Sequence, residues 1–162
     1  MSTEPTVRRL SPDEWEMARA VRVAALTDAP SAFGSTVARE LSLSEEQWRA
    51  RLAGSAWFTG LRGADAVALA CGVPADAADE RHLTGMWVAL SERGTGLAGV
   101  LVSHVIDWAR ADGARRLQLW VVAENARAIG LYDKHGFTFT GRTQPLPRDP
   151  QVLEVEMVAV LA

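Results

Sequence analysis

The sequence predicts a mixed α/β (α+β) fold in one domain, residues 1–162, with helices on both faces of a mixed sheet. Three consecutive strand-like segments in the middle of the chain predict antiparallel pairing, because short connections join neighbouring antiparallel strands. A later strand–helix–strand unit predicts a parallel step, because a helical crossover connects parallel strands. The chain length and a hydrophobic content of 48% are sufficient for a core of this kind.

The first half of the chain predicts a strand, two helices and three further strands. Ser11 is a favourable N-cap and Pro12 suits the first helical position, so a helix follows the opening strand. Pro30 and Gly34 interrupt the helical pattern, and Gly54 ends the second helix. The predicted segments are a strand at 6–10, helices at 11–28 and 44–54, and strands at 56–62, 66–74 and 83–90.

The second half of the chain predicts alternating helices and strands. Apolar residues recur on one face of the helix that ends at Gly113. Residues 143–151 contain three prolines and predict a loop before the last strand. The predicted segments are a helix at 96–113, a strand at 116–122, a helix at 125–136, and strands at 137–142 and 152–161.

Composition argues against several classes of function. The net charge of −3 provides no electrostatic reason to bind nucleic acid or an anionic membrane. Cys71 is the only cysteine and the chain has three histidines, so neither an internal disulfide nor a multi-ligand metal site is expected. The opening residues lack the apolar core of a signal peptide, and no apolar stretch of about 18 residues occurs. We therefore expect a cytoplasmic protein.

The stretch "RGTGLA", residues 93–98, lies where an apolar strand is followed by a helix. The first turn of a helix leaves N–H groups unpaired and carries about half a positive elementary charge. Gly94 and Gly96 let a bulky anion approach that backbone, while Arg93 adds a cation and Thr95 a hydroxyl. This corner suits a pyrophosphate; the alternative is a plain turn into the helix.

The same glycines also satisfy the dinucleotide-binding pattern G-x-G-x-x-G, at Gly94, Gly96 and Gly99, with Glu124 after the next strand. The context disagrees with that pattern, because three residues separate the strand from the first glycine and the preceding strands are hairpin-linked. Only 38 residues follow Glu124, too few for the remaining strands of a dinucleotide-binding sheet. A nicotinamide or flavin oxidoreductase is therefore the weakest hypothesis.

A second motif, "NARAIGLYDKHGF", starts at Asn125. Asn125 and Tyr132 are seven residues apart, two helical turns, so they project from nearly the same face of a helix. Tyr132 is the only tyrosine in the chain. If the strands before the two motifs are neighbours, one site receives a phosphate tail from the first motif and a reactive group from the second.

With both motifs present, the sequence resembles the GCN5-related N-acetyltransferase (GNAT) superfamily, whose members bind acetyl-CoA. The family signature Gln/Arg-x-x-Gly-x-Gly/Ala is met by Arg93, Gly96 and Ala98. Many members have a proline where this chain has Leu90. The order of elements agrees with the family along nearly the whole chain. The later family motif is met by Asn125, Ala128, Leu131, Tyr132, Gly136 and Phe137.

The resemblance implies an acyl-CoA N-acyltransferase fold whose fourth and fifth strands splay apart, with the pantetheine arm of acetyl-CoA between them. Backbone groups near Val88 and Leu90 would bind that arm, and an N–H near Val88 would polarise the thioester carbonyl. Asn125 would hold the pantetheine end or an ordered water. The pyrophosphate would lie on Arg93, Gly94, Thr95, Gly96, Leu97 and Ala98.

The resemblance further implies transfer of the acetyl group to a primary amine by direct attack in a ternary complex, without a metal. Tyr132 would protonate the departing thiolate as general acid; its alternative role is to close its helix against the sheet. An amine with a pKa near ~10 must first lose a proton. His82 is the candidate base, Glu80 and Glu40 are its rivals, and a chain of waters is a further alternative.

The acceptor pocket is expected from the first two helices and their loop, with Phe33 and Gly34 in its lining. A small amine or amino-acid-like metabolite is the preferred acceptor, and a protein amine is the alternative. A CoA-binding sensor or partner-binding module without catalysis is a second hypothesis for the whole chain. The sequence leaves the oligomeric state open, a homodimer included.

Overall fold

The computed structural model describes residues 4–30, 33–147 and 149–161. Short 3-10 turns at Pro12–Glu14 and Leu90–Glu92 precede the first and fourth helices. No helix within the described ranges is long and apolar enough to cross a membrane. The helices are α1 (Trp15–Asp28), α2 (Val37–Ser42), α3 (Glu45–Gly54), α4 (Leu97–Ala111) and α5 (Ala126–Lys134). The strands are β1 (Thr6–Arg9), β2 (Ala56–Arg62), β3 (Asp65–Pro74), β4 (Glu80–Val88), β5 (Arg116–Val122), β6 (Phe137–Leu146) and β7 (Asp149–Val160).

The strands form one seven-stranded sheet in the order β1-β2-β3-β4-β5-β7-β6. Every neighbouring pair is antiparallel except β4 and β5, which are parallel. β4 and β5 pair only from Glu80 opposite Arg116 to His82 opposite Gln118, and they separate beyond that point. The predicted mixed sheet with a splay between its fourth and fifth strands is confirmed.

A bulge in β4 lies just beyond the last pair that this strand forms with β5. β4 has one more residue than β3 between Thr84 and Trp87, the partners of Cys71 and Leu69. Gly85, inside this segment, has a φ of +66°, which glycine adopts without steric cost. A bulge bends its strand and increases the local twist. β4 therefore turns away from β5 and leaves a cleft between the two strands.

Two apolar clusters pack on opposite faces of the sheet. Trp57 and Phe58 are neighbours on β2, so their side chains point to different faces. Phe58 packs in the cluster with Leu101 of α4, and Trp57 packs in the cluster with Leu26 of α1 and Trp48 of α3. The prediction that helices cover both faces is confirmed.

The helix α2 is absent from the predicted order of elements, and the prediction was wrong there. Thr36 caps this short helix, because its hydroxyl accepts a hydrogen bond from the Arg39 N–H at 3.1 Å. Six residues are too few for a helical repeat to be recognised in the sequence. Residues 31 and 32 of the predicted loop lie outside the described residues.

Two predicted strand boundaries were also wrong. β4 begins at Glu80 and ends at Val88, whereas the prediction was 83–90, because a 3-10 turn starts at Leu90. Most of the predicted loop at 143–151 is strand, with Pro145 paired opposite Leu153. β6 lies at the edge of the sheet, where a proline costs no ladder hydrogen bond on its open side.

Candidate active site

A cleft of about 520 Å³ occupies the separation between β4 and β5. β4 contributes residues 82–88 to its walls and β5 contributes residues 118–122. One end is closed by α1 and the segment after it, and the other by the start of α4 and by α5. The residues that line these two ends are Arg22, Phe33 and Gly34, and Ala98, Asn125 and Tyr132. The cleft thus joins both sequence motifs to the predicted acceptor loop.

Val88 presents its backbone to this cleft. The Ala89 N–H donates to the Val67 carbonyl at 2.8 Å, so Ala89 is hydrogen-bonded to β3. Because such bonds alternate along an antiparallel ladder, the N–H and carbonyl of Val88 point away from β3. The Val88 carbonyl accepts a hydrogen bond from Arg93 Nε at 3.1 Å. The Val88 N–H therefore faces the cleft, on the side predicted for a donor to the thioester carbonyl.

Leu90 lies outside the lining of the cleft. It is 73% exposed at the start of the 3-10 turn, and its carbonyl accepts a hydrogen bond from the Arg93 N–H at 3.3 Å. The prediction that Leu90 contacts the pantetheine arm assumed that the strand continues to that residue. Because β4 ends at Val88, the turn carries Leu90 away from the strand direction.

The glycine corner turns into α4 with an open backbone. Gly94 and Gly96 have φ angles of +81° and +87°, and Gly96 is the N-cap of the helix. Apart from the adjacent residues in the chain, no heavy atom of the described residues lies within 4 Å of the place where a Cβ would stand on either glycine. Leu97 is buried under the corner and Ala98 lines the cleft. The unpaired N–H groups of the first helical turn are therefore accessible to an anion.

The polar side chains of this corner are engaged within the protein. Arg93 Nη2 donates to Asp28 Oδ2 at 2.8 Å, and the Thr95 hydroxyl donates to the Glu92 carbonyl at 2.6 Å. The Glu92 carboxylate accepts two hydrogen bonds from Arg62, at 2.6 and 2.9 Å, and this contact lowers its pKa. The backbone of the corner is therefore better prepared to bind an anion than its Arg93 and Thr95 side chains.

Asn125 and Tyr132 of the second motif lie on α5 beside the corner. Asn125 Oδ1 accepts a hydrogen bond from the Ala128 N–H at 3.1 Å, which caps the helix and leaves the amide NH₂ for a ligand. Tyr132 is 6% exposed, and its ring meets Phe137 edge-on at 5.7 Å between centroids. Burial raises the pKa of Tyr132 to about 12, so its phenol keeps its proton at neutral pH.

His82 lines the cleft at the last position where β4 pairs with β5. His82 Nε2 lies 3.3 Å from Glu80 Oε1, and Glu80 Oε2 lies 3.5 Å from an Arg116 guanidinium nitrogen. Glu80 does not line the cleft, so it is placed as a partner of the imidazole rather than as a rival base. Among the described residues, no group of three His, Cys, Asp or Glu side chains could hold a metal ion.

Glu40, the other rival base, is held by two arginines. Its carboxylate is 1% exposed and accepts hydrogen bonds from Arg22 Nε at 3.0 Å and from Arg51 Nη1 at 2.7 Å. Burial alone would raise the pKa of Glu40, but the hydrogen bonds and charges of Arg51 and Arg22 outweigh it and the pKa is lowered. A carboxylate bound in this way is a weak base, so its role is to hold the arginines.

Two polar residues of the cleft were missed by the sequence analysis. Gln118 is buried on β5 and donates from Nε2 to Glu156 Oε2 at 2.8 Å, while its Oε1 has no partner among the described residues. Arg22 is buried on α1 beneath Phe33. Each residue interrupts an otherwise apolar buried pattern, in "RLQLWVV" and along the inner face of α1, and that interruption was the available signal.

Known structures share this fold. The crystal structure of a GNAT-family acetyltransferase from Streptococcus pneumoniae has a TM-score of 0.82 at 19% identity, covering 98% of this chain and 100% of that one. The structure of yncA, a putative acetyltransferase from Salmonella typhimurium with its cofactor acetyl-CoA, has a TM-score of 0.75 at 18% identity. It covers 99% of this chain and 95% of the other. These similarities show the fold.

Sequence comparison identifies the family. Streptothricin acetyltransferase from Streptomyces lavendulae is 46% identical over 54 residues, 33% of this chain and 29% of that protein. The matches span less than a third of the length of the curated relatives. Residues 20–137 match the sequence profile of the Acetyltransferase (GNAT) family, a range that contains the glycine corner, Asn125 and Tyr132. The chain therefore belongs to the Acetyltransferase (GNAT) family.

Proposed function

We propose that this protein is an N-acetyltransferase that transfers the acetyl group of acetyl-CoA to a primary amine within a ternary complex. One observation carries the proposal: the cleft between β4 and β5 opens on the glycine corner at one end and on the α1–α2 segment at the other. Donor and acceptor can therefore enter from opposite ends and meet beside Val88. Membership of the family supports acetyl-CoA as the donor.

The donor substrate binds through backbone groups. Its pyrophosphate lies on the N–H groups of residues 94–98, where the helix carries about half a positive charge. Its pantetheine arm runs along β4, and the Asn125 NH₂ group binds beside it. The Val88 N–H donates to the thioester oxygen as negative charge develops there, an interaction worth about 10² to 10³ in rate.

Tyr132 acts on the leaving group as a hydrogen-bond donor. Its pKa of about 12 lies above the ~8.5 of a cysteine-like thiol, so complete proton transfer to the thiolate is uphill by ~3.5 pKa units, or about 5 kcal/mol. Tyr132 therefore stabilises the sulfur while the carbon–sulfur bond breaks and its electron pair moves to sulfur. The proton that ends on the thiol comes from the attacking amine.

His82 is the proposed base for the acceptor. An ammonium group must lose one proton before its nitrogen can form the new carbon–nitrogen bond. The His82 imidazole lines the cleft, and Glu80, within 3.3 Å of Nε2, orients it. The acceptor itself is proposed to be a small amine-bearing metabolite. The match to streptothricin acetyltransferase covers 54 residues, so it supports the reaction class rather than that substrate.

The first test is calorimetric titration of the purified protein with acetyl-CoA, with NADH as a control. Micromolar binding of acetyl-CoA and no binding of NADH are expected, followed by release of free thiol in a panel of amines. Failure to bind acetyl-CoA overturns the proposal. Binding without thiol release from any amine favours the alternative, a CoA-binding module without catalysis.

A further inference from the structure

A second cavity, of about 410 Å³, adjoins the cleft at its α1–α2 end. Arg22, Gly34 and Thr84 line both cavities, so the two cavities adjoin at these residues. Among the described residues, three arginines and one glutamate line the second cavity, which leaves an excess of two positive charges. The remaining residues that line it are Ser35, Arg39, Glu40, Leu43 and Arg51.

Arg22 is the central residue of this space. It is 9% exposed, and the Phe33 ring centroid lies 5.0 Å from its guanidinium carbon. A guanidinium has five N–H donors, and among the described residues only Arg22 Nε has a partner, Glu40 Oε1 at 3.0 Å. Arg22 Nη1 lies beside the bulge of β4, 3.5 Å from the place where a Cβ of Gly85 would stand. The terminal nitrogens of Arg22 are not fully buried, so their N–H groups face the space of the two cavities and are available to a ligand.

Arg39 and Arg51 have different roles beside Arg22. Arg51 donates to both oxygens of Glu40 and lies over the Trp48 ring, so it holds the carboxylate that positions Arg22. Arg39 is exposed on α2 and forms no ion pair with the described residues. Arg39 is therefore a second cation, available to an anion, at the mouth of the cavity.

Gln118 stands on the other wall of the cleft. Its Nε2 is bound to Glu156, which fixes the amide and leaves the buried Oε1 as an acceptor without a partner among the described residues. An acceptor oxygen suits the N–H groups of an amine, whereas the Arg22 donors suit an oxyanion. The cleft therefore has one wall for an anion, on α1, and one wall for an amine, on β5.

We propose that the acceptor is a small amine that carries an oxyanion, a carboxylate or a phosphate, bound by Arg22 and Arg39 while its amine lies near Gln118. The planar fork of a guanidinium matches both groups through paired hydrogen bonds. This inference rests on the proposed acetyltransferase function, because it assigns the acceptor of that reaction.

The test compares matched acceptors. Amino acids are paired with their amides, and phosphoethanolamine is paired with ethanolamine, with acetyl-CoA saturating and free thiol as the readout. We expect the anionic member of one pair to have a kcat/KM about tenfold or more above its neutral partner, since a charged hydrogen bond is worth that much. The pair that shows the preference identifies the anion. Equal or better turnover of the neutral members overturns the inference.

Variants distinguish a loss of the anion site from a general loss of activity. Arg39→Gln is expected to raise the KM for anionic acceptors about 5- to 20-fold and to raise the KM for neutral acceptors much less. Arg22→Lys keeps a cation beside Glu40 but loses the fork, so its loss for anionic acceptors is expected to be larger. Arg110→Gln, an exposed change on α4, is the control, and it should alter neither the KM for anionic acceptors nor the KM for neutral acceptors. An equal loss for anionic and neutral acceptors in Arg39→Gln contradicts the assignment.

Failure of this inference can be distinguished from failure of the proposed function. If acetyl-CoA does not bind, the proposed function is wrong. If acetyl-CoA binds and neutral amines are preferred, only the anion site is wrong. If no amine of the panel is turned over, calorimetry of the same pairs on the CoA-saturated protein decides the point. Anionic members must then bind more tightly, and Arg39→Gln must remove the difference.

Discussion

The two ends of the cleft bind by different means. At the α4 end, bare backbone faces the cleft, while the Arg93 and Thr95 side chains are engaged by Asp28 and by the Glu92 carbonyl. At the α1–α2 end, the charged groups are side chains, and Arg22 is held in place by a buried carboxylate. A backbone site suits one constant group, the pyrophosphate of the donor. A side-chain site can differ from one relative to another and so select the acceptor.

The largest expected effect tests the backbone end. Gly96→Val places a β-branched residue at a φ of +87°, which valine adopts only with strain. The first turn of α4 should rearrange, and acetyl-CoA affinity in calorimetry should fall more than about 100-fold, the order of two or more lost charged hydrogen bonds. The space in front of Gly96 is open, so the effect comes from backbone conformation rather than from a clash.

Gly113→Val is the matched control for this change. Gly113 has a φ of +88° and no heavy atom within 4 Å of a Cβ position, and it lies just beyond the other end of α4. It therefore introduces the same strain away from the cleft. Loss of stability with normal acetyl-CoA binding is expected for Gly113→Val. Normal binding by Gly96→Val would show that the corner is only a turn.

The next largest effect tests the side-chain end. Glu40→Gln leaves Arg22 and Arg51 without their carboxylate, and breaking a buried ion pair by removing one partner costs about 3–5 kcal/mol. Because Arg51 is one-third exposed, the lower end of that range is expected in urea unfolding. Asp13→Asn removes an exposed carboxylate that pairs with Arg49, and it should cost little stability. Similar losses of stability in both variants would mean that the buried carboxylate contributes no more than an exposed one.

A smaller effect tests the point where the two ends meet. Tyr132→Phe is expected to lower kcat about 10- to 100-fold, the effect of losing one hydrogen bond to a charged group, with acetyl-CoA affinity retained. Single-turnover thiol release and calorimetry measure the two quantities. An unchanged kcat would remove Tyr132 from the chemistry and leave it as a packing residue against Phe137.

The pKa of Tyr132 can be measured directly. It is the only tyrosine, so its ultraviolet absorbance titration reports this residue alone, with a midpoint near pH 12 in the folded protein. The unfolded value is about 10, so the folded state holds the proton more tightly. This contribution to the free energy of unfolding is complete below pH ~10 and is lost as pH rises towards ~12, an expected fall of about 3 kcal/mol. Tyr132→Phe should lack this fall.

The difference between the two ends also explains what could be predicted from the sequence. The glycine corner and the Asn125–Tyr132 spacing are local patterns, because a helix start and two helical turns are determined within a few residues. Arg22, Glu40 and Gln118 come together only when α1, α2 and β5 pack around one cleft. No local spacing joins them, so at the acceptor end the sequence predicted only Phe33, Gly34 and the candidate bases His82, Glu80 and Glu40, and not the arginines or Gln118.

The same reasoning applies to the fold. The antiparallel pairing of the central strands and the parallel step follow from hairpin and crossover connections, and they were predicted, whereas the place of β7 between β5 and β6 was not. Pro145 was assigned to a loop because the edge position of β6, where a proline is tolerated, depends on the whole sheet. The cytoplasmic location and the single domain over residues 1–162 stay predictions.

The smallest expected effect tests the link between the ends. Asp28 Oδ2, at the end of α1, accepts hydrogen bonds from Arg93 Nη2 at 2.8 Å and from Trp87 Nε1 at 2.9 Å. Asp28→Asn keeps an oxygen for Trp87 but removes a negative charge near the donor pyrophosphate and frees Arg93. Acetyl-CoA should then bind about 2- to 5-fold more tightly at low salt, and the gain should shrink at high salt.

Asp13→Asn is the control for Asp28→Asn. Its exposed carboxylate pairs with Arg49 and does not line the cleft, so acetyl-CoA affinity should not change. Weaker binding by Asp28→Asn would reverse the interpretation, because Asp28 would then hold Arg93 where the pyrophosphate needs it. In that case α1 would help to bind both substrates, and the contrast between a backbone end and a side-chain end would apply to the acceptor alone.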